Sequence, residues 1–101
     1  MKMMWLFPAL VAGTISYSVA ASEELDQAEI RDLVRQGEIL PLETILAQFP
    51  RKEYGKLLDL EVEREHGSVI YEFEFLRADG RIVEIEVDAR NGTILEQEIE
   101  D

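Results

Sequence analysis

Few side chains in this 101-residue chain could do chemistry, and their spacing decides what kind. His66 is the only histidine, and Ser68 stands two positions away in "REHGSVIYEF". The two flank Gly67, which places His66 in a turn and Ser68 at the start of a strand, pointing away from it. A nucleophile needs a base within hydrogen-bonding reach and a third group to orient that base, and this arrangement supplies neither. The sequence contains no cysteine, which removes thiolate catalysis, disulfides and Cys-ligated zinc. The sequence therefore reads as non-enzymatic, with no catalytic residue and no cofactor.

Carboxylates remain. In "VEIEVDARNG", Asp88 and Asn91 could offer oxygens to a cation, but side chains of this type at a strand end usually bond their own backbone. Asp88, Asn91 and Gly92 are read as a structural turn, and Gly80 in "RADGR" is given the same role. Glu61, Glu72, Glu74, Glu84 and Glu86 alternate with apolar residues, so they share one face of a sheet. Calcium prefers ligands converging from a loop, whereas carboxylates on neighbouring strands stand parallel, about 5 Å apart. The expectation is no discrete metal site. Glu72, Glu74, Glu84 and Glu86 instead attract cations diffusely, and together with Glu61 they could dock a basic partner segment. Tyr54, in "PRKEYGK" beside Arg51, Lys52 and Lys56, is expected as an exposed contact on a loop.

The elements that position these residues follow from periodicity. Asp26 and Glu29 have capping-box spacing, Leu25 can staple onto Ile30, and Ile30, Leu33 and Val34 form an apolar stripe that ends at Gly37. "PLETILAQFP" predicts a second short helix with Pro41 at its first position, Leu42, Ile45, Leu46 and Phe49 on one face, and Pro50 as terminator. From Leu57 the period becomes two, which predicts strands near 57–65, 69–77, 81–89 and 93–99 with Gly67, Gly80 and Gly92 in the turns. The predicted fold is α+β: two short N-terminal helices packed on one face of a three- to four-stranded antiparallel meander.

Face parity fixes the loops, because a one-residue slip moves every side chain to the other face. The expected core sets are Leu58, Leu60 and Val62; Val69, Tyr71, Phe73 and Phe75; Val83, Ile85 and Val87; and Leu95 with Ile99. These require a two-residue His66-Gly67 turn and a three-residue Ala78-Asp79-Gly80 turn. A three-residue Arg90-Asn91-Gly92 turn then sets Val87 opposite Leu95 and Val83 opposite Ile99. The outer face would carry two rows of acids, Glu61, Glu72, Glu86 and Glu96 in one and Asp59, Glu74, Glu84 and Glu98 in the other.

At the N-terminus, Lys2 precedes the apolar run "LFPALVAGTI" and the small residues of "SYSVAAS". This is the pattern of a signal peptide over residues 1–21, cut after Ala20 or Ala21, which implies a periplasmic or secreted protein. An uncleaved anchor is the alternative, although the run is short of the roughly 20 residues a span needs and contains Pro8 and Gly13. The whole chain has 22 acids against 10 Lys and Arg, a net charge of −12. Loss of Lys2 with the leader would make it −13. That sign excludes nucleic acid as a partner. It also opposes an anionic membrane surface, so membrane contact requires the N-terminal segment to remain attached.

"VIYEFEF" followed by "GRIVEIEVDARNGTILE" resembles the PepSY domain family. Val87, Asp88, Ala89, Gly92, Ile94 and Leu95 match its closing signature, and "GEILPLETIL" is similar to the opening of small exported bacterial members. The resemblance spans about residues 25 to 100. It implies an α+β fold with a helix packed on an antiparallel sheet, an extracytoplasmic setting, and a role in inhibiting or regulating peptidases or in sensing. The family offers no catalytic residues to transfer. The expected partner is a protein, either a peptidase or an envelope sensor protein, or a basic segment. The alternative is an acidic protein that responds to divalent cations through the outer face of its sheet.

Overall fold

The computed structural model describes residues 23–100; the signal segment expected over residues 1–21 lies outside them. The described chain is α+β, with five strands and three short helices: β1 (Glu23–Glu24), α1 (Gln27–Arg35), α2 (Leu42–Leu46), α3 (Arg51–Tyr54), β2 (Lys56–Glu65), β3 (Ser68–Leu76), β4 (Ile82–Asp88) and β5 (Ile94–Glu100). The sheet is antiparallel in simple chain order, β1-β2-β3-β4-β5. This exceeds the expectation by one strand and one helix. The extra strand is a two-residue pairing of Glu23 and Glu24 with Arg64 and Glu63, too short to leave a periodic signal.

Helix α1 begins and ends as its sequence dictates. Asp26 is extended and its Oδ1 accepts the Glu29 N–H at 2.8 Å, satisfying one of the donors that a helix start leaves open. At the other end Gly37 takes φ +75°, and the N–H groups of Glu38 and Gly37 donate to the carbonyls of Leu33 and Val34, each at 3.0 Å. This paired closure needs a left-handed residue, which glycine supplies without steric conflict.

Pro41 is the N-cap of α2, one position before its expected place, and Ile45 and Phe49 are buried. Pro50 does not simply end that helix. It caps α3, its carbonyl accepting the N–H groups of Glu53 and Tyr54 at 3.0 and 2.9 Å. The segment expected as an exposed loop is therefore a helical turn. Tyr54 on it is half-buried rather than exposed, its ring edge-on to Phe49 with centroids 5.0 Å apart.

Two turns match expectation. Glu65 pairs with Ser68 across His66 and Gly67, both at positive φ, the requirement of a two-residue hairpin turn. Leu76 pairs with Ile82, and the Arg77 N–H reaches the Arg81 carbonyl at 2.9 Å, leaving Ala78, Asp79 and Gly80 as the loop. The third turn differs. The Asp88 N–H donates to the Thr93 carbonyl and the Gly92 N–H to the Asp88 carbonyl, both at 2.8 Å, so the loop has four residues, Ala89 to Gly92. The surplus residue is absorbed in a bulge: Val87 faces Ile94 instead of Leu95, and the ladder resumes at Glu86 with Glu96. Val83 opposite Ile99 stands. A second bulge, at Leu58, puts Leu57 opposite Phe75 and Asp59 opposite Glu74.

Both bulges correct the expected core. Leu58 and Leu95 are 44 and 52 % exposed because each is the extra residue of its bulge, and Leu57 packs against the core in place of Leu58. Ile99 is also exposed, since the helical layer covers β2, β3 and β4 but stops short of β5. Parity shows that an even or odd number of residues must be accommodated, but a bulge can absorb the difference anywhere along the strand. Tyr71, Phe73 and Phe75 form the floor of the core as expected, and Phe49 reaches Phe73 and Phe75 with centroids 5.5 and 5.7 Å apart. Each fully buried aromatic of this kind stabilises the fold by about 1.5 to 3 kcal/mol.

Leu40, in the connection between α1 and α2, clips the two layers together. Its N–H donates to the Ala89 carbonyl and its carbonyl accepts the Tyr71 hydroxyl, both at 2.8 Å. The Ala89 N–H in turn donates to the Val69 carbonyl at 3.0 Å.

Candidate functional site

The outer face of the sheet carries the expected rows. Glu61 faces Glu72, Glu72 faces Glu86 and Glu86 faces Glu96; beside them Asp59 faces Glu74, Glu74 faces Glu84 and Glu84 faces Glu98. Both bulges leave these pairings untouched, because each inserts its extra residue outside the stretch that bears the acids. The backbone spacing of a sheet thus fixes opposed carboxylates at neighbouring-strand distance, where like charges repel. Asp59, Glu61, Glu72, Glu74 and Glu84 line a shallow hollow of about 90 Å³. Glu86 adjoins it through Glu72.

Electrostatics follow from this crowding. Glu72 is pushed up to about 7, first by desolvation and then by the charges of Glu63, Glu61, Glu86 and Glu84. Glu86 is raised by desolvation and by Glu96, and Glu84 by desolvation and by Glu100. Glu63 is raised by desolvation and by contact with Glu61. Ile70 contributes an apolar wall at this end of the face, since it is only 8 % exposed and pairs with Glu63 and Asp88. Burial penalises the charged form, and neighbouring carboxylates add to that penalty.

One oxygen from each of Glu61, Glu63 and Glu72 lies within 4.8 Å of the others. Glu63 was absent from the expected set, although alternation from Glu61 places it on the same face; its cross-strand neighbour is Ile70, so it belongs to neither acid row. A hard cation such as Ca²⁺ takes six to eight oxygens, and three strand carboxylates form only an incomplete edge of such a shell.

The remaining candidates lie elsewhere. Tyr54 belongs to the helical layer, in contact with Phe49 and Phe75, on the opposite side of the sheet from the acids. Gly80 takes φ +86° at the far end of the β3–β4 hairpin. Asp88 Oδ1 accepts the Arg90 N–H and Asn91 Oδ1 accepts the Thr93 N–H, both at 2.9 Å, so each directs an oxygen at local backbone. Gly92 is buried at φ +80° against the Gln48 side chain. His66 is exposed in its turn.

These contacts give a physical reason for the spacing Val-Asp-Ala…Gly. Val87 fills the core, Asp88 closes the turn, Ala89 is fully buried with both backbone groups engaged, and Gly92 supplies the left-handed corner. A meandering antiparallel sheet with short helices on one face and a turn of this construction defines a small α+β domain. The family model described as "Peptidase propeptide and YPEB domain" (PepSY) matches residues 39–98, more than half of the chain, and the protein belongs to the PepSY family. The match begins just before the Leu40 clip, so α1 precedes it, whereas the resemblance was expected from about residue 25. No curated protein and no solved structure matches the chain. Among the described residues, no helix is long and apolar enough to cross a membrane.

Proposed function

We propose that this protein is a non-catalytic regulatory module that acts outside the cytoplasm by binding a protein partner, a peptidase or an envelope sensor protein. The observation that carries this reading is the acidic outer face, set in a PepSY fold whose helices cover only the other side. Opposed carboxylates lower the stability of the sheet in isolation, and a partner presenting lysine or arginine relieves that repulsion on contact. Leader removal places the mature chain in the periplasm or the medium. Capture from an envelope extract, followed by titration of the captured peptidase or sensor with pure protein, tests it. The expected result is a partner retained at low salt, released at high salt, and altered in activity at stoichiometric protein. Equal retention by an unrelated protein of matched negative charge would sink the proposal.

A second reading, response to divalent cations, is favoured by the proximity of Glu61, Glu63 and Glu72. Thermal melts with and without millimolar Ca²⁺ at constant ionic strength test it. A rise in melting temperature no greater than that produced by a monovalent salt eliminates this reading.

A further inference from the structure

Strand β5 ends the sheet, so one row of its backbone N–H and C=O groups has no strand partner among the described residues. All seven of its residues are exposed. Free edges are usually blunted by charged side chains, above all lysine, by proline, by bulges or by a covering element, and the charges on β5 are all acidic, which repel an acidic strand but attract a basic one. β5 contains neither Lys nor Pro, its bulge lies at the Leu95 end, and Glu96 to Glu100 continue in regular register. Its side chains alternate in kind. Glu96 and Glu98 extend the two acid rows, with Glu100 beyond them, while Ile94, Gln97 and Ile99 pair with the core-facing Val87, Ile85 and Val83. Ile94, Leu95 and Ile99 are 42, 52 and 45 % exposed.

We infer that the β5 edge is a strand-addition site for an extended polypeptide segment that alternates basic and apolar side chains. The inference rests on the partner-binding reading above and names the surface and the chemistry of its occupant. Ladder hydrogen bonds would join any extended segment to the edge, and the alternating side chains select among segments. A strand laid about 4.8 Å from β5 sets its outward residues beside Glu96, Glu98 and Glu100 and its inward residues beside Ile94 and Ile99. Basic residues outward and apolar residues inward complement both faces at once. A second copy of the chain does not, because β5 against β5 adds a further pair of opposed acid columns to two strongly acidic molecules.

The test uses the full chain and three synthetic peptides of seven residues, the length of β5: alternating Lys-Val, the same composition with lysines and valines in separate blocks, and alternating Glu-Val. The alternating Lys-Val peptide is expected to bind at least about ten-fold tighter than the block peptide and to slow amide exchange over Ile94–Glu100. The E96K/E98K variant is expected to lose that affinity by a similar factor with no fall in melting temperature. Equal affinity for the block peptide, protection of other strands but not β5, or undiminished binding by E96K/E98K overturns the inference. Partner capture that persists in E96K/E98K refutes the edge site and leaves the regulatory reading intact. If no partner is captured by the native chain, that reading fails whatever the peptides do.

Discussion

Glu72 and Glu86 stand directly opposite one another on adjacent central strands, with Glu61 and Glu96 completing the row on either side. The Glu72 carboxyl is pushed up to about 7 and that of Glu86 is raised as well. A carboxyl that binds its proton more tightly in the folded chain than in the unfolded one stabilises the fold as pH falls. The gain begins near the folded value of about 7 and is complete below the ordinary glutamate value of 4.5. Melting temperature is therefore expected to rise between pH 8 and pH 5. Discounted for solvent, Glu72 alone accounts for about 1 kcal/mol, or about 4 to 8 °C. A melting temperature that is flat or falling across this range would contradict the crowding described here.

Glu72→Gln removes the most crowded charge while keeping shape. It is expected to stabilise the protein by about 1 kcal/mol at pH 8 and by much less at pH 5. Denaturant melts at the two pH values measure the difference. Equal effects at both would assign the change to packing rather than to charge.

The bulge in β2 makes two adjacent leucines unequal. Leu58→Ser, at an exposed position, is expected to change stability by no more than about 0.5 kcal/mol. Leu57→Ala, which strips a side chain packed on the core, is expected to cost about 1 to 2 kcal/mol. The reverse order in urea melts would restore the regular register that places Leu58 inside.

Gly55 closes α3 at φ +91° and ψ −152°, a region open in practice only to glycine. Its backbone also lies so close to the Leu76 carbonyl that an added Cβ would collide with main chain. Gly55→Ala is expected to cost about 2 kcal/mol or more, seen as a melting point lowered by about 8 °C or more. A neutral result would mean that the β2 entry can move.

At the clip, Tyr71→Phe removes the hydroxyl that the Leu40 carbonyl accepts and is expected to cost about 1 kcal/mol. Ala89→Val overfills a fully buried site at a cost of about 1 to 3 kcal/mol. Comparison of the two by thermal melts separates hydrogen bonding from volume at the same junction.

Much of this was legible in the chain because alternation is a local property. Glu72, Glu74, Glu84 and Glu86 had to share a face with each other and to oppose Tyr71, Phe73, Ile85 and Val87, and they do. The tight turn at Gly67 and the three-residue turn at Gly80 followed from the same parity. Parity could not locate the extra residues at Leu58 and Leu95, because the neighbour that each bulge brings opposite a core residue, Leu57 or Ile94, is equally apolar. Nor could it show that Ile99, apolar and in phase, would lie beyond the reach of the helices. Pro50 was ambiguous for a related reason. Proline suits both the end of one helix and the start of the next, and the Glu53 and Tyr54 N–H groups that donate to the Pro50 carbonyl, with Tyr54 packed on Phe49, decide for the second.

The Leu40 clip bears on cooperativity. Both backbone groups of this one connector residue are held by the sheet, the N–H by Ala89 and the carbonyl by Tyr71. The helices cannot lift away as a lid without also releasing the end of β4 and the centre of the core. Separation of the helical layer thus carries the loss of sheet contacts with it, which favours opening of the two layers together.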